Sequence, residues 1–135
     1  MHPETIQLVR TSWTKVAAIA PHAAVLFYKN LFGVAPSLQL LFKGDMEQQG
    51  ASLMRKIGAA IERLDETDTL VPMIQDLGRR HAAYGVRAAD YESVRIALLR
   101  TLEQGLGSDF TPATKVAWAR VFGIISATMI GAAAD

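Results

Sequence analysis

A chain of 135 residues, half of them hydrophobic, is long enough to fold around a sizeable core. Fourteen Lys and Arg residues against thirteen Asp and Glu residues give a net charge of +1, so no global field favours nucleic acid or an anionic membrane as a partner. The absence of cysteine excludes disulfides, thiolate metal ligands and cysteine nucleophiles.

The first half of the chain has the helical period of apolar residues and no alternation typical of a strand. The amino-terminal segment is polar and amphipathic, unlike a signal peptide, and Pro3 suits a first helical turn. Pro21 begins a second helix, Pro36 begins a short helical piece ending near Phe42, and a long helix follows from about Met46 to Leu64. The predicted inward positions in these helices are Ile6, Val9, Trp13, Val16 and Ala17, then Ala24, Tyr28 and Leu31, then Gly50, Leu53, Ile57, Ala60 and Leu64.

The second half is predicted to contain three further helices. One runs from Leu70 to Tyr84, and Gly85 is the glycine that follows its end. Asp90 is the predicted N-cap of the next helix, and Thr111 and Pro112 are the N-cap and first residue of the last. The predicted inward positions are Val94, Leu98, Leu102 and Leu106, then Val116, Ala119, Val121, Ile124, Ile125 and Met129. The longest apolar run, IISATMIGAAA, is shorter than a bilayer span, so we expect a cytoplasmic all-α protein of six or seven helices with no membrane partner.

Three polar residues fall on predicted inner faces of three different helices. His81 continues the apolar stripe that runs through Leu77. Tyr28 lies on the inner face of the second helix, and Gln49 lies one turn before Leu53. A buried polar group without a partner costs about 1–3 kcal/mol, so each needs another side chain, the backbone or a bound molecule. Periodicity alone also allows a core histidine bonded to a carbonyl, a glutamine that reaches solvent and a tyrosine whose hydroxyl lies at the surface.

Motifs along nearly the whole chain resemble those of globins, in particular single-domain bacterial haemoglobins and the globin part of flavohaemoglobins. Trp13 matches a tryptophan of the first globin helix, and FYKNLF at 27–32 is similar to the second helix of bacterial globins. LGRRHAAYGV at 77–86 resembles the helix that carries the proximal histidine, and LEQGLGSDFTPATKVAW at 102–118 resembles vertebrate neuroglobin. The resemblance implies a single globin domain over residues 1–135, with six to eight helices sandwiching a haem.

The resemblance also implies a cofactor, haem b (iron protoporphyrin IX), with His81 as the iron ligand. One ring nitrogen would bind the metal, and the other would donate to a carbonyl one turn back, near Leu77. Pro36 and Phe42 match the start of the third globin helix and a phenylalanine that packs on haem. The other implied cofactor contacts are Leu53, Ile57, Leu77, Val86, Tyr91 and Val94, with Phe27 and Leu98 as further wall candidates. The basic residues nearest to the haem propionates would be Lys43, Arg80 and Arg87.

The opposite, distal side aligns through the run GASLMRKIGAAI at 50–61. This alignment puts Gln49 at the globin distal position and Leu53 one turn later, over the haem, while Tyr28 matches the distal tyrosine of bacterial globins. A phenolic O–H and an amide N–H can donate to O2, which is more polar than CO. Two such donors would slow O2 release by about one or two decades. We therefore expect reversible binding of O2, CO and NO, with high affinity for O2.

One departure from the flavohaemoglobin pattern bears on mechanism. Tyr91 matches a tyrosine ten residues after the proximal histidine, but no glutamate follows Glu103, where the family has one late in the last helix. The reductase domain is also missing, so we expect an O2 carrier or binder first, and a nitric oxide dioxygenase only with a separate reductase. The alternatives are a haem-based gas sensor and a cofactor-free helical module. A monomer and a homodimer are both compatible with the apolar last helix.

Overall fold

The chain forms a bundle of α-helices, seen in a computed structural model that describes residues 1–134. The α-helices are α1 (Pro3–Ala17), α2 (Ala20–Val34), α3 (Met46–Glu62), α4 (Thr67–Ala83), α5 (Ala88–Leu106) and α6 (Pro112–Ala134), and the short 3₁₀ helices are η1 (Pro36–Leu41) and η2 (Gly107–Asp109). No strand occurs within residues 1–134. The all-α architecture predicted from the sequence is therefore confirmed.

Two hydrophobic clusters form the core. The larger cluster joins α1, α3, α4, α5 and α6 and includes the almost fully buried Val9 and Leu102. The smaller cluster joins α2 to η1 and α5 around Phe27 and Leu31, and Leu98 packs against both clusters. Because α3 packs mainly on α1 and α2 whereas α4 packs mainly on α6, the helices that carry Gln49 and His81 have different neighbours.

The backbones of α4 and α6 lie close together where Gly78 of α4 faces Met129 of α6. A Cβ atom on Gly78 would lie 2.6 Å from the Met129 Cα and 2.8 Å from its carbonyl carbon. Non-bonded carbon atoms pack at about 3.5–4.0 Å, so the two backbones can meet only because residue 78 has no side chain. Since Gly78 lies three residues before His81, this contact sets the distance between α6 and the part of α4 that carries His81.

Two helices begin earlier than the sequence patterns predict. Asp90 is not the N-cap of α5, because Arg87 occupies that position and the Asp90 carboxylate accepts a hydrogen bond from the Arg87 backbone N–H at 2.8 Å. Asp90 is thus the third residue of the helix and supplies one half of a capping box, in which its carboxylate reaches back to the N-cap backbone N–H. Helix α4 begins at Thr67 and not at Leu70, because the polar residues just before Leu70 form its first turn.

The inner face of α6 also differs from the prediction. Val116 and Ile124, predicted to point inward, are 50% and 49% exposed, and Ala17 of α1 is exposed as well. Because α6 is apolar on almost every side, its periodicity does not single out one buried face. By length and composition α6 could span a membrane, which the sequence analysis did not anticipate, and one side of it packs on α1, α4 and α5.

Candidate functional site

His81 lies in the last turn of α4, where it is partly buried. Its Nδ1 atom is 2.7 Å from the carbonyl oxygen of Leu77, one turn earlier, so Nδ1 carries the hydrogen and donates it. In that tautomer the lone pair is on Nε2, which is left as the ligating atom. The hydrogen bond that the globin resemblance implies is present, while the role of His81 as an iron ligand stays a prediction.

The turn that follows His81 also holds its backbone. Gly85 adopts a φ of 98°, and its N–H donates to the Ala82 carbonyl at 3.0 Å. The Val86 N–H donates to the His81 carbonyl at 3.0 Å, which completes a Schellman motif. A Cβ atom on Gly85 would lie 3.6 Å from Leu41 Cδ2, so this turn also contacts η1. The predicted helix-ending glycine is confirmed, and it fixes the chain on the carboxyl side of His81.

Each of the apolar residues predicted to contact a cofactor is only partly buried. They are Phe42, Leu53, Ile57, Leu77, Val86, Tyr91 and Val94. Leu53 and Val94 pack with Phe42 on the smaller cluster, whereas the side chains from Ile57, Leu77 and Tyr91 pack on the larger one. Leu98 is also partly buried, but Phe27 is buried. Partly exposed apolar residues on the inward sides of α3, α4 and α5 are expected of the walls of an apolar cleft.

Tyr28 is buried among aromatic rings, with 8% of its surface exposed. The ring centroids of Phe27, Phe32 and Phe42 lie 5.5, 5.9 and 5.2 Å from its own. Its hydroxyl makes no hydrogen bond within residues 1–134, yet no side-chain oxygen there is both sealed from solvent and without a partner, so the hydroxyl oxygen still reaches open space. Burial raises the pKa of the Tyr28 phenol, which keeps it protonated and able to donate at neutral pH.

Gln49 lies in the first turn of α3 and is partly buried. Its side-chain amide donates to the backbone carbonyl of Lys43 in the loop before α3. Gly44 in that loop has a φ of 91°, and the Asp45 carboxylate caps the helix by accepting from the Glu47 N–H at 2.9 Å. One amide hydrogen of Gln49 is therefore bound to the loop. Its other hydrogen and its oxygen form no hydrogen bond within residues 1–134.

The basic residues predicted near a propionate differ in their partners. Arg80 forms an ion pair with Asp76 at 2.9 Å, and Arg87 lies 3.5 Å from Asp90. Lys43 is exposed and has no ion pair within residues 1–134. These contacts make Lys43 the most available of the three cations.

Tyr91 lies near the start of α5 and is partly buried, and burial raises the pKa of its phenol. It forms no hydrogen bond with His81, because the Nδ1 atom of that histidine is engaged by the Leu77 carbonyl. Sequence reasoning gave no role to two glycines beside the site, Gly50 and Gly78, although both lie on apolar faces next to Gln49 and Leu77.

No three His, Cys, Asp or Glu side chains within residues 1–134 are grouped so that they could hold a metal ion. A helical bundle with a partly buried histidine and partly exposed apolar residues on neighbouring helices is the arrangement of a class of proteins that hold a cofactor between helices. A sequence profile described as Globin matches residues 25–129, which is most of the chain. The chain belongs to the globin family, and both the predicted membership and the globin fold are confirmed.

Individual relatives and structures agree with this membership. Neuroglobin of Danio rerio is 32% identical over 137 aligned positions, which cover 90% of this chain and 86% of that protein. The flavohemoprotein of Bordetella parapertussis is 28% identical over 97% of this chain, which spans only 33% of that longer protein. The crystal structure of a hexacoordinated heme protein from an anhydrobiotic tardigrade superposes with a TM-score of 0.89 over 100% of this chain and 96% of the other, at 15% identity. This last likeness concerns the fold alone.

Proposed function

We propose that this protein is a haem protein that binds O2 reversibly and tightly and also binds CO and NO. Because the described residues offer one inward histidine and no cluster of metal ligands, a metal held here must bring its other ligands with it. Haem b would meet that requirement, since its porphyrin would supply the other nitrogen ligands and His81 would hold its iron. When bound, it supplies an iron that coordinates diatomic gases. The flat macrocycle also suits walls made of partly exposed apolar side chains from several helices.

Each wall of the cleft has a distinct task under this proposal. The Leu77 carbonyl orients the His81 ring and fixes its tautomer, so that Nε2 holds the metal. A carbonyl is uncharged, so it polarises the imidazole only weakly. Phe42 and Leu53 exclude water from the cofactor, and Lys43 offers a cation to a propionate.

One observation carries the assignment to a gas, which is the unpartnered hydroxyl of the buried Tyr28. Because this hydroxyl reaches open space, it can donate to a small polar ligand beside it, and such a hydrogen bond contributes about 0.5–1.5 kcal/mol. O2 accepts a hydrogen bond better than CO does, so Tyr28 favours O2. Gln49 is the second donor, through the amide hydrogen that its bond to the Lys43 carbonyl leaves free.

Tyr28→Phe tests this assignment, because it removes the hydroxyl and keeps the ring. We expect O2 dissociation to become about tenfold faster, the equivalent of one hydrogen bond of about 1.4 kcal/mol, while CO dissociation changes by less than about twofold. Stopped-flow displacement of each gas from purified wild-type and variant protein gives both rates. Phe32→Leu is a matched control, because it alters the same aromatic group without removing a donor. Equal changes for O2 and CO in Tyr28→Phe would contradict the assignment.

A second candidate function is nitric oxide dioxygenation, favoured by the similarity of 97% of this chain to a flavohemoprotein. NO and O2 give nitrate with the uptake of one electron, which a separate reductase would supply. Protein equilibrated with O2 should consume one equivalent of NO per haem and then stop. Nitrate formation that continues after a cell extract and a nicotinamide reductant are added would favour the enzyme over the carrier.

A further inference from the structure

We propose that Gly50 is a positioning residue: its contact with Ala24 sets the separation of α2 and α3 and thereby the mutual placement of Tyr28 and Gln49. The inference rests on the proposed function, in which these two side chains are the hydrogen-bond donors to the gas. Under this inference Gly50, which has no side chain, controls the positions of both donors, Tyr28 and Gln49.

The geometry at this crossing leaves no spare room. A Cβ atom on Gly50 would lie 2.9 Å from the Ala24 Cβ, closer than two carbon atoms pack without a shift. The same atom would lie 3.8 Å from Tyr28 Cε2, which is ordinary contact. Ala24 and Gly50 are both buried, and each lies in an α-helix about one turn after its first residue. A methyl group added at Gly50 therefore meets the wall of α2 and not the flexible end of a side chain.

Both proposed donors lie beside this contact. Tyr28 is one turn after Ala24 on the same face of α2, and Gln49 immediately precedes Gly50 in α3. To reach normal carbon contact, the helices must separate by about 0.6 Å or more at the crossing. Because Tyr28 belongs to one helix and Gln49 to the other, that shift changes the distance between the donors. Hydrogen bonds span a range of only about 0.5 Å, so a ligand held by both donors would lose part of one bond.

The principal test combines two single variants and their double variant. In Gly50→Ala we expect O2 dissociation to become about three- to tenfold faster, with CO dissociation within about twofold of wild type. Adding Ala24→Gly removes the opposing methyl group and should restore the O2 rate to within about twofold of wild type. Gly58→Ala is the matched control, because the same change in the same helix meets only the Trp13 ring, at 3.4 Å. Its O2 rate should remain unchanged.

Thermal unfolding of the same purified proteins is an independent readout that does not involve gas binding. When residue 24 is Ala, Gly50→Ala should lower the midpoint temperature of unfolding, because the two methyl groups clash. When residue 24 is Gly, the same substitution should raise the midpoint temperature, because alanine is a better helix former than glycine. This reversal of sign is specific to a steric contact between the two positions. A midpoint change of the same sign in both backgrounds would overturn the proposed contact.

The outcomes separate this inference from the proposed function. If Tyr28→Phe speeds O2 release but Gly50→Ala leaves both gas rates unchanged, the positioning role of Gly50 is wrong and the donor role of Tyr28 stands. An O2 rate in the double variant that stays as fast as in Gly50→Ala also overturns the positioning role. If instead Tyr28→Phe itself leaves O2 release unchanged, the proposed donor is wrong, whatever Gly50 does.

Discussion

Replacing His81 with alanine is expected to yield a protein that no longer retains haem through purification. His81 is the one inward histidine on α4, and within residues 1–134 no other group of potential ligands could hold a metal in its place. The substitution also removes Nε2, the ring nitrogen whose lone pair is left free when Nδ1–H donates to the Leu77 carbonyl, so only the apolar walls and Lys43 would hold the macrocycle. The measurement is the ratio of Soret absorbance to protein absorbance after gel filtration.

Two further measurements separate lost ligation from lost folding. Free imidazole added to His81→Ala should enter the space left by the side chain and restore much of the haem binding, because it supplies the same nitrogen ligand. The matched control is His22→Ala, since His22 is exposed near the start of α2 and should leave pigment content unchanged. A variant lacking His81 that keeps a full complement of haem with the wild-type spectrum would show that the metal is held elsewhere.

Replacing Gly78 with alanine is expected to destabilise the protein by about 1–3 kcal/mol, the usual cost of forcing extra atoms into a packed interior. The new methyl group would meet backbone atoms of Met129, with the Cα only 2.6 Å away. A side chain could rotate away, but the backbone of a core helix cannot, so α4 must rise from α6. Denaturant unfolding of the wild-type and variant proteins measures the loss.

The same displacement should be visible at His81, which lies one turn after Gly78. The stretching frequency between iron and the histidine in the ferrous protein, measured by resonance Raman spectroscopy, should shift in Gly78→Ala. Gly131→Ala is the matched control, because a Cβ atom there has no neighbour within 4 Å and alanine favours a helix. A Gly78→Ala protein as stable as Gly131→Ala would contradict the contact.

Much of the fold was predictable because its start signals are local. Pro3, Pro21 and Pro36 each lie at the first or second position of a helix, as their fixed φ angle favours. The end of α4 at Gly85 was predictable for the same reason. The bond between His81 and the Leu77 carbonyl follows from one turn of helix. In each case the determining atoms lie within a few residues of one another.

The features that sequence analysis missed depend on pairs of helices. In the sequence, Gly50 and Gly78 look like any other residue of an apolar helix face. Only the structure shows that Gly50 packs against Ala24 and Gly78 against Met129. The engagement of Gln49 by the Lys43 carbonyl depends on how the preceding loop turns back. The buried face of α6 could not be assigned either, because an almost uniformly apolar helix is oriented by its neighbours and not by its own pattern.

The contact between α4 and α6 restricts the choice of amino acid at residue 78 of α4 more than at residue 129 of α6. On α6 the contact is made by main-chain atoms, which every amino acid shares, so residue 129 can be exchanged for another apolar residue without altering the surface on which α4 rests. On α4 only glycine fits. Over long divergence we therefore expect position 129 to drift among amino acids while position 78 stays fixed.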